Sequence, residues 1–163
     1  MTTLEVRDAR KAARRWGGVD PARSRQMSLV RGKDTGPELI VRRVAHGLGY
    51  RYGLHRTDLP GMPDLVFRSR KKIIFVHGCF WHGHACAKGA RTPKTNRDYW
   101  IAKISKNAER DARHMARLEG AHWRVLIIWE CEMKDTTALA SRLRRFLGPI
   151  KSSLARSNRI PSL

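Results

Sequence analysis

Apolar positions fall into three kinds of pattern along this chain, and each predicts a different element. Leu39, Ile40, Val44 and Leu48 recur at helical spacing behind Thr35 and Glu38, a capping-box pair, with Pro37 in the first turn. A helix is therefore predicted from Thr35 to about His46, stopped by Gly47 or Gly49. Tyr50 to Leu54 reads as a short first strand, and Leu65 to Phe67 and Ile73 to Val76 read as two more, joined by a hairpin at Ser69 to Lys71. From Asp98 to Glu119 a stripe of Trp100, Ile101, Ile104, Ala108, Ala112, Met115 and Leu118 predicts a long helix ending at Gly120. Trp123 to Trp129 is an almost unbroken apolar run, the pattern of a strand buried on both faces. A last amphipathic helix covers Thr137 to Leu147 and stops at Gly148 and Pro149.

The order of helix, three strands, helix, strand and helix predicts an α/β domain, a mixed sheet flanked by helices. At 163 residues the chain is one domain. The patterned region spans residues 26–148. Residues 1–25 read as a flexible basic arm and residues 149–163 as a basic tail, because neither has an organising period.

Charge narrows the partner. Lys and Arg number 34 against 14 Asp and Glu, a formal charge of +20 with a sequence pI near 11.3. Such an excess in one domain points to a polyanion, and nucleic acid is the first expectation. No apolar run approaches the roughly twenty residues of a membrane span. An odd count of three cysteines with no signal-peptide character argues against a disulfide framework and for a soluble, intracellular protein with reduced thiols.

The candidate chemistry lies in KIIFVHGCFWHGHAC, Lys72 to Cys86, which changes character halfway. After the strand-like run come His77, Cys79, His82, His84 and Cys86, around the exposed-looking aromatics Phe80 and Trp81. Thiolates and imidazoles at this density suit zinc, and a structural zinc needs four donors. With Cys131 at the end of the last strand there are more donors than zinc requires, and the spacing does not choose between His82 and His84. Upstream, Leu59-Pro-Gly-Met-Pro63 forms a rigid turn that delivers Asp64 to the start of a strand. Carboxylates such as Asp64 and Glu38 bind magnesium, and a neutral histidine can take a proton from water. With a polyanionic partner this combination spells phosphodiester hydrolysis.

Four runs carry a family resemblance: PGMPDLVF, IIFVHGCFWHGHAC, TNRDYWIAKISKNAERD and AHWRVLIIWEC. Across about Arg23 to Cys131 they are similar to the very short patch repair (Vsr) endonucleases. The resemblance implies a fold of the restriction-endonuclease type and a magnesium-dependent nick on the 5′ side of the thymine in a T:G mismatch left by deamination of 5-methylcytosine. It implies Asp64 as magnesium ligand, with the backbone carbonyl of Val76 beside it where the family often has threonine. His82 becomes the histidine that activates water, with Glu38 and His77 supporting the phosphate. Zinc falls to Cys79, His84, Cys86 and Cys131, and Gly83 replaces a frequent histidine. Phe80, Trp81 and Trp100 are assigned to insertion beside the mismatched pair, with Met27 entering from the other groove. The expected setting is a monomer acting on double-stranded DNA in a bacterial cytoplasm, at the nucleoid, with mismatch-repair proteins as further partners. Two other classes compete: a restriction endonuclease cutting matched DNA, and a zinc-stabilised nucleic-acid binding module without catalysis.

Overall fold

The computed structural model describes residues 33–91, 93 and 96–150. Met27, the arm over residues 1–25 and the tail beyond residue 150 lie outside the described residues. Helix α1 spans Gly36–Gly47, where the Thr35 hydroxyl accepts from the Glu38 amide at 3.5 Å. Strand β1 is Leu65–Phe67, β2 is Lys72–His77, helix α2 is Arg97–Gly120, β3 is Arg124–Trp129 and helix α3 is Thr136–Leu147. Asp135 caps α3 by accepting from the amides of Thr137 and Ala138, both at 2.9 Å.

β2 is the central strand. It pairs antiparallel with β1, Leu65 opposite Ile74, and parallel with β3, Lys72 opposite Arg124 and His77 opposite Trp129. The parallel pair requires a crossover, which α2 supplies. Strand alternation then builds two cores. Leu65, Phe67, Ile74 and Ile128 pack against Val41 and Ala45 of α1 and Leu139, Leu143 and Leu147 of α3. Val66, Ile73 and Phe75 pack on the other side with Leu118 of α2 and Trp123. The expected mixed sheet between helices is therefore present, and among the described residues no helix is long and apolar enough to cross a membrane.

Two expectations are corrected. Tyr50 to Leu54 is not a strand; it makes one antiparallel bridge, Gly53 to Val66. Its alternation reflects anchoring by side chains: Tyr50 and Tyr52 meet Phe67 edge-on, and their hydroxyls donate to the carbonyls of Gly148 and Arg42. β3 is packed on both faces but lies at the edge of the sheet and is less completely buried than its apolar run predicts. Only Ile128 is fully buried, while Val125, Leu126 and Ile127 are half-buried and Arg124 is exposed. Its apolar run answers to helices on both faces of the sheet, but its outer edge has no strand partner among the described residues.

Candidate active site and metal centre

An open cleft of about 590 Å³ lies where β1 begins and β2 ends, lined by Glu38, Asp64, Val76, His77, His82 and Asp111 among others. The proline-flanked turn sets Asp64. Gly61 holds φ +76°, and a Cβ there would stand 2.9 Å from His114 Nδ1 and 3.2 Å from the Phe75 ring, so the turn can pack this closely only without a side chain. Asp64 emerges with Oδ2 accepting from the Val76 amide at 2.7 Å. Burial pushes its carboxyl up to about 6; the Val76 amide opposes this and the Glu38 charge adds to it. Asp64, with the nearby Val76 main chain, offers oxygen donors of the kind a hard cation takes.

Glu38 is fixed differently. Thr35 donates to its Oε1 at 2.8 Å, while the Asp34 amide and Arg42 donate to Oε2 at 3.0 and 2.8 Å. Both oxygens are engaged, and the buried Arg42 also pairs with Asp34. Glu38 is thus a carboxylate fixed in position on the cleft wall by its three donors.

Across the cleft, His82 Nδ1 lies 2.5 Å from Asp111 Oδ2, and its ring stacks on His77 with centroids 3.8 Å apart and planes 11° apart. Burial, reinforced by His82, drives the His77 imidazole down to about 4, so it is neutral at pH 7. Burial raises the Asp111 carboxyl, but hydrogen bonds from His82 and Arg110 outweigh that and hold it below the usual carboxylate range. Donor atoms of His77, His82 and Asp111 all lie within 4.8 Å of one another. Asp111 is the residue that sequence reasoning missed. The signal was available: Asp111 sits three after Ala108 and four before Met115, inside the apolar stripe of α2. Asn107, one turn earlier, is the same kind of exception, and its Nδ2 donates to the Trp81 carbonyl at 3.0 Å.

Cys79, His84, Cys86 and Cys131 also have their donor atoms within 4.8 Å of one another. Two or more thiolates with an imidazole fit a metal ion such as zinc, and it is His84, not His82, that joins them. The Cys131 and Gly89 amides donate to the sulfurs of Cys79 and Cys86, each at 3.4 Å. Gly89 is required by contact: a Cβ there would lie 1.9 Å from the His84 carbonyl oxygen. The Gly89 amide and His84 draw the Cys86 thiol down to about 6, whereas burial pushes Cys79 up to about 12. One thiol gives up its proton readily, and the other needs a metal's charge to do so. The His84 ring stacks on Trp129 at 4.2 Å, and Trp129 meets His77 edge-on at 5.4 Å, which ties this centre to the cleft.

Phe80, Trp81 and Trp100 are brought together beside the cleft, with centroids 5.2 to 5.9 Å apart. All three are half-buried, so Phe80 and Trp81 are less exposed than the sequence suggested. Lys103 Nζ lies 5.7 and 5.5 Å from the rings of Trp81 and Trp100.

The raised acid has a measurable consequence. Because the folded-state value of Asp64 exceeds the ordinary 3.8, the stability its proton contributes is complete below about 3.8 and lost as pH rises through about 6. In magnesium-free buffer, Asp64→Asn is expected to stabilise the protein at pH 8 by on the order of 2 kcal/mol and to do little at pH 4. Urea unfolding at the two pH values checks this, and an equal change at both would refute it.

The family model for DNA mismatch endonuclease Vsr matches residues 19–88. The Type II nicking enzyme V.XorIIP of Xanthomonas oryzae pv. oryzae is 52% identical over 132 residues, 80% of this chain and 96% of that protein. V.NmeAIP, a Type II nicking enzyme of Neisseria meningitidis, is 40% identical over 132 residues, 81% and 94% of the two chains. The DNA mismatch endonuclease Vsr of Escherichia coli K12 is 38% identical over 130 residues, 77% of this chain and 83% of that protein. These relatives place the chain among the DNA endonucleases. Within that class it belongs to the Vsr family of DNA mismatch endonucleases.

Proposed function

We propose that this protein nicks one strand of duplex DNA on the 5′ side of the thymine in a T:G mismatch, by magnesium-dependent hydrolysis on a fold of the restriction-endonuclease type. The observation that carries the proposal is the His82–Asp111 pair facing Asp64 across one cleft, beside a cluster of aromatic rings. Asp111 accepts from His82 Nδ1–H and leaves Nε2 to take a proton from water. Neutral His77 stacks under that ring and keeps its plane in place without repelling the charge it gains. Asp64 and the Val76 carbonyl would hold magnesium, with Glu38 as a supporting charge. When bound there, the ion supplies a positive charge to the phosphoryl group and to the departing oxygen. Cys79, His84, Cys86 and Cys131 would hold a structural zinc.

Discrimination would come from Phe80, Trp81 and Trp100. Opening a base step costs a few kcal/mol, less where pairing is already imperfect, and stacking on an aromatic ring returns about 1–3 kcal/mol per base. The restriction-type reading has less support, since β2 contains no carboxylate to complete a second metal-ligand pair with Asp64. The test is to offer duplexes with T:G, U:G, other mismatched and matched pairs in varied flanks and to map the nick. A magnesium-dependent nick 5′ of the mismatched thymine is expected, and cleavage of both strands of matched DNA would refute the proposal. In the same assay Trp81→Ala and Trp100→Ala should weaken T:G binding by about 5- to 150-fold and matched binding far less. Equal losses on both duplexes would assign the rings to the fold instead.

A further inference from the structure

Along α2, Lys103, Lys106, Arg110, Arg113 and Arg117 recur at intervals of three and four residues, which places them within an arc of roughly 80° on one side of the helix. Lys106, Arg110, Arg113 and Arg117 are exposed, and among the described residues only Arg110 has an ion pair, to Asp111 at 3.1 Å. The acids of α2 do not neutralise the row. Asp111 is turned into the cleft toward His82, Glu119 falls on the opposite side of the helix, and Asp98 and Glu109 lie beside the row rather than in it, Glu109 accepting from Ser105. Like charges at these spacings repel and weaken an isolated helix by tenths of a kcal/mol per pair, so the row opposes the helix that carries it. A solvated helix face would intersperse acids, whereas a face that meets a polyanion would not.

The position of the row is as informative as its charge. Lys103 lies over the aromatic cluster, Arg110 lines the cleft, Arg113 flanks it one residue before the cleft-lining His114, and Arg117 follows the last lining residue of the helix, Met115. From Lys103 to Arg117 the helix advances about 21 Å, close to the axial rise of six base pairs, since phosphates of one strand are about 3.4 Å apart along the duplex. We infer that this edge of α2 is a phosphate track that follows the DNA backbone from the mismatch, past the cleft, into the flank on the 5′ side of the thymine. This rests on the proposed function, because the polarity follows from rings at the mismatch and a scissile phosphate just 5′ of it.

The test measures binding of a T:G duplex over a range of salt concentrations. Arg113→Gln with Arg117→Gln should reduce the salt slope by about 2, one for each cation. Arg144→Gln with Arg145→Gln is the control, since these exposed cations lie on α3, across the sheet. Shortening the duplex on the 5′ side of the thymine should remove the dependence on Arg113 and Arg117, and shortening it on the 3′ side should preserve it. Equal slope changes in the two double variants would overturn the track, as would a dependence that disappears with the 3′ flank. If the wild type nicks no T:G duplex the proposed function fails, while the slope comparison on matched DNA still judges the track.

Discussion

Cys131→Ser is expected to lose the bound metal and most of the protein's stability together. Cys131 follows β3, whereas Cys79, His84 and Cys86 follow β2, so the centre clamps the end of an edge strand to the loop that carries the cleft histidine His82. Structural zinc contributes on the order of 10 kcal/mol as folding energy, comparable with the whole stability of a domain this size. The loss should extend to the cleft, because His84 and His77 both pack on Trp129. Metal analysis of the purified protein and thermal unfolding of the variant check this. A wild type without stoichiometric zinc, or a Cys131→Ser protein that melts unchanged, would contradict the assignment.

His82→Ala and Asp64→Ala should abolish nicking while leaving T:G binding nearly intact. The first removes the proposed base, worth about 10²- to 10⁴-fold, and the second the proposed metal carboxylate, worth several kcal/mol of charge stabilisation. Neither deletes one of the arginines, lysines or aromatic rings proposed to touch the DNA, and Asp64→Ala removes a negative charge from the path of a phosphate. Single-turnover nicking and binding isotherms separate the two effects, and parallel losses of both would count against these roles. Zinc content distinguishes the two histidines. It should survive His82→Ala and fall in His84→Ala, and the opposite result would exchange their roles.

The three helices were legible in the sequence because their limits are set locally. Thr35 and Glu38 cap α1 within four residues, Asp135 caps α3, Gly148 follows the end of α3, and Gly47 and Gly120 are the last residues of α1 and α2. The sequence reading placed α2 one residue late, since Asn96 enters it in a left-handed conformation that no side-chain pattern announces. Tyr50 to Leu54 was misread because its alternation serves contacts with Phe67, Arg42 and Gly148, most of them far away in the chain. The choice between His82 and His84 turns on Gly83, which at φ +65° lets neighbouring histidines face different partners and leaves only 3.0 Å between its missing Cβ and Ile104. Asp111 was visible as a carboxylate out of place in an apolar stripe, but its partner lies 29 residues earlier, which periodicity cannot reveal.

The mixed sheet also dictates an order of assembly. β1 and β2 meet across a turn of a few residues, and the Asp64 to Val76 hydrogen bond forms within that hairpin. β2 and β3 pair only after a loop of about fifty residues has closed, from position 72 to position 124, at an extra entropic cost of about 2 kcal/mol. The acid side of the cleft therefore belongs to the fast, local part of folding. Asp111 arrives with the crossover helix and Cys131 with the last strand, so His82 gains its partner, and the metal its fourth donor, only when the slow, non-local step is finished. A nascent chain thus carries its proposed magnesium ligand early and becomes a competent nuclease late.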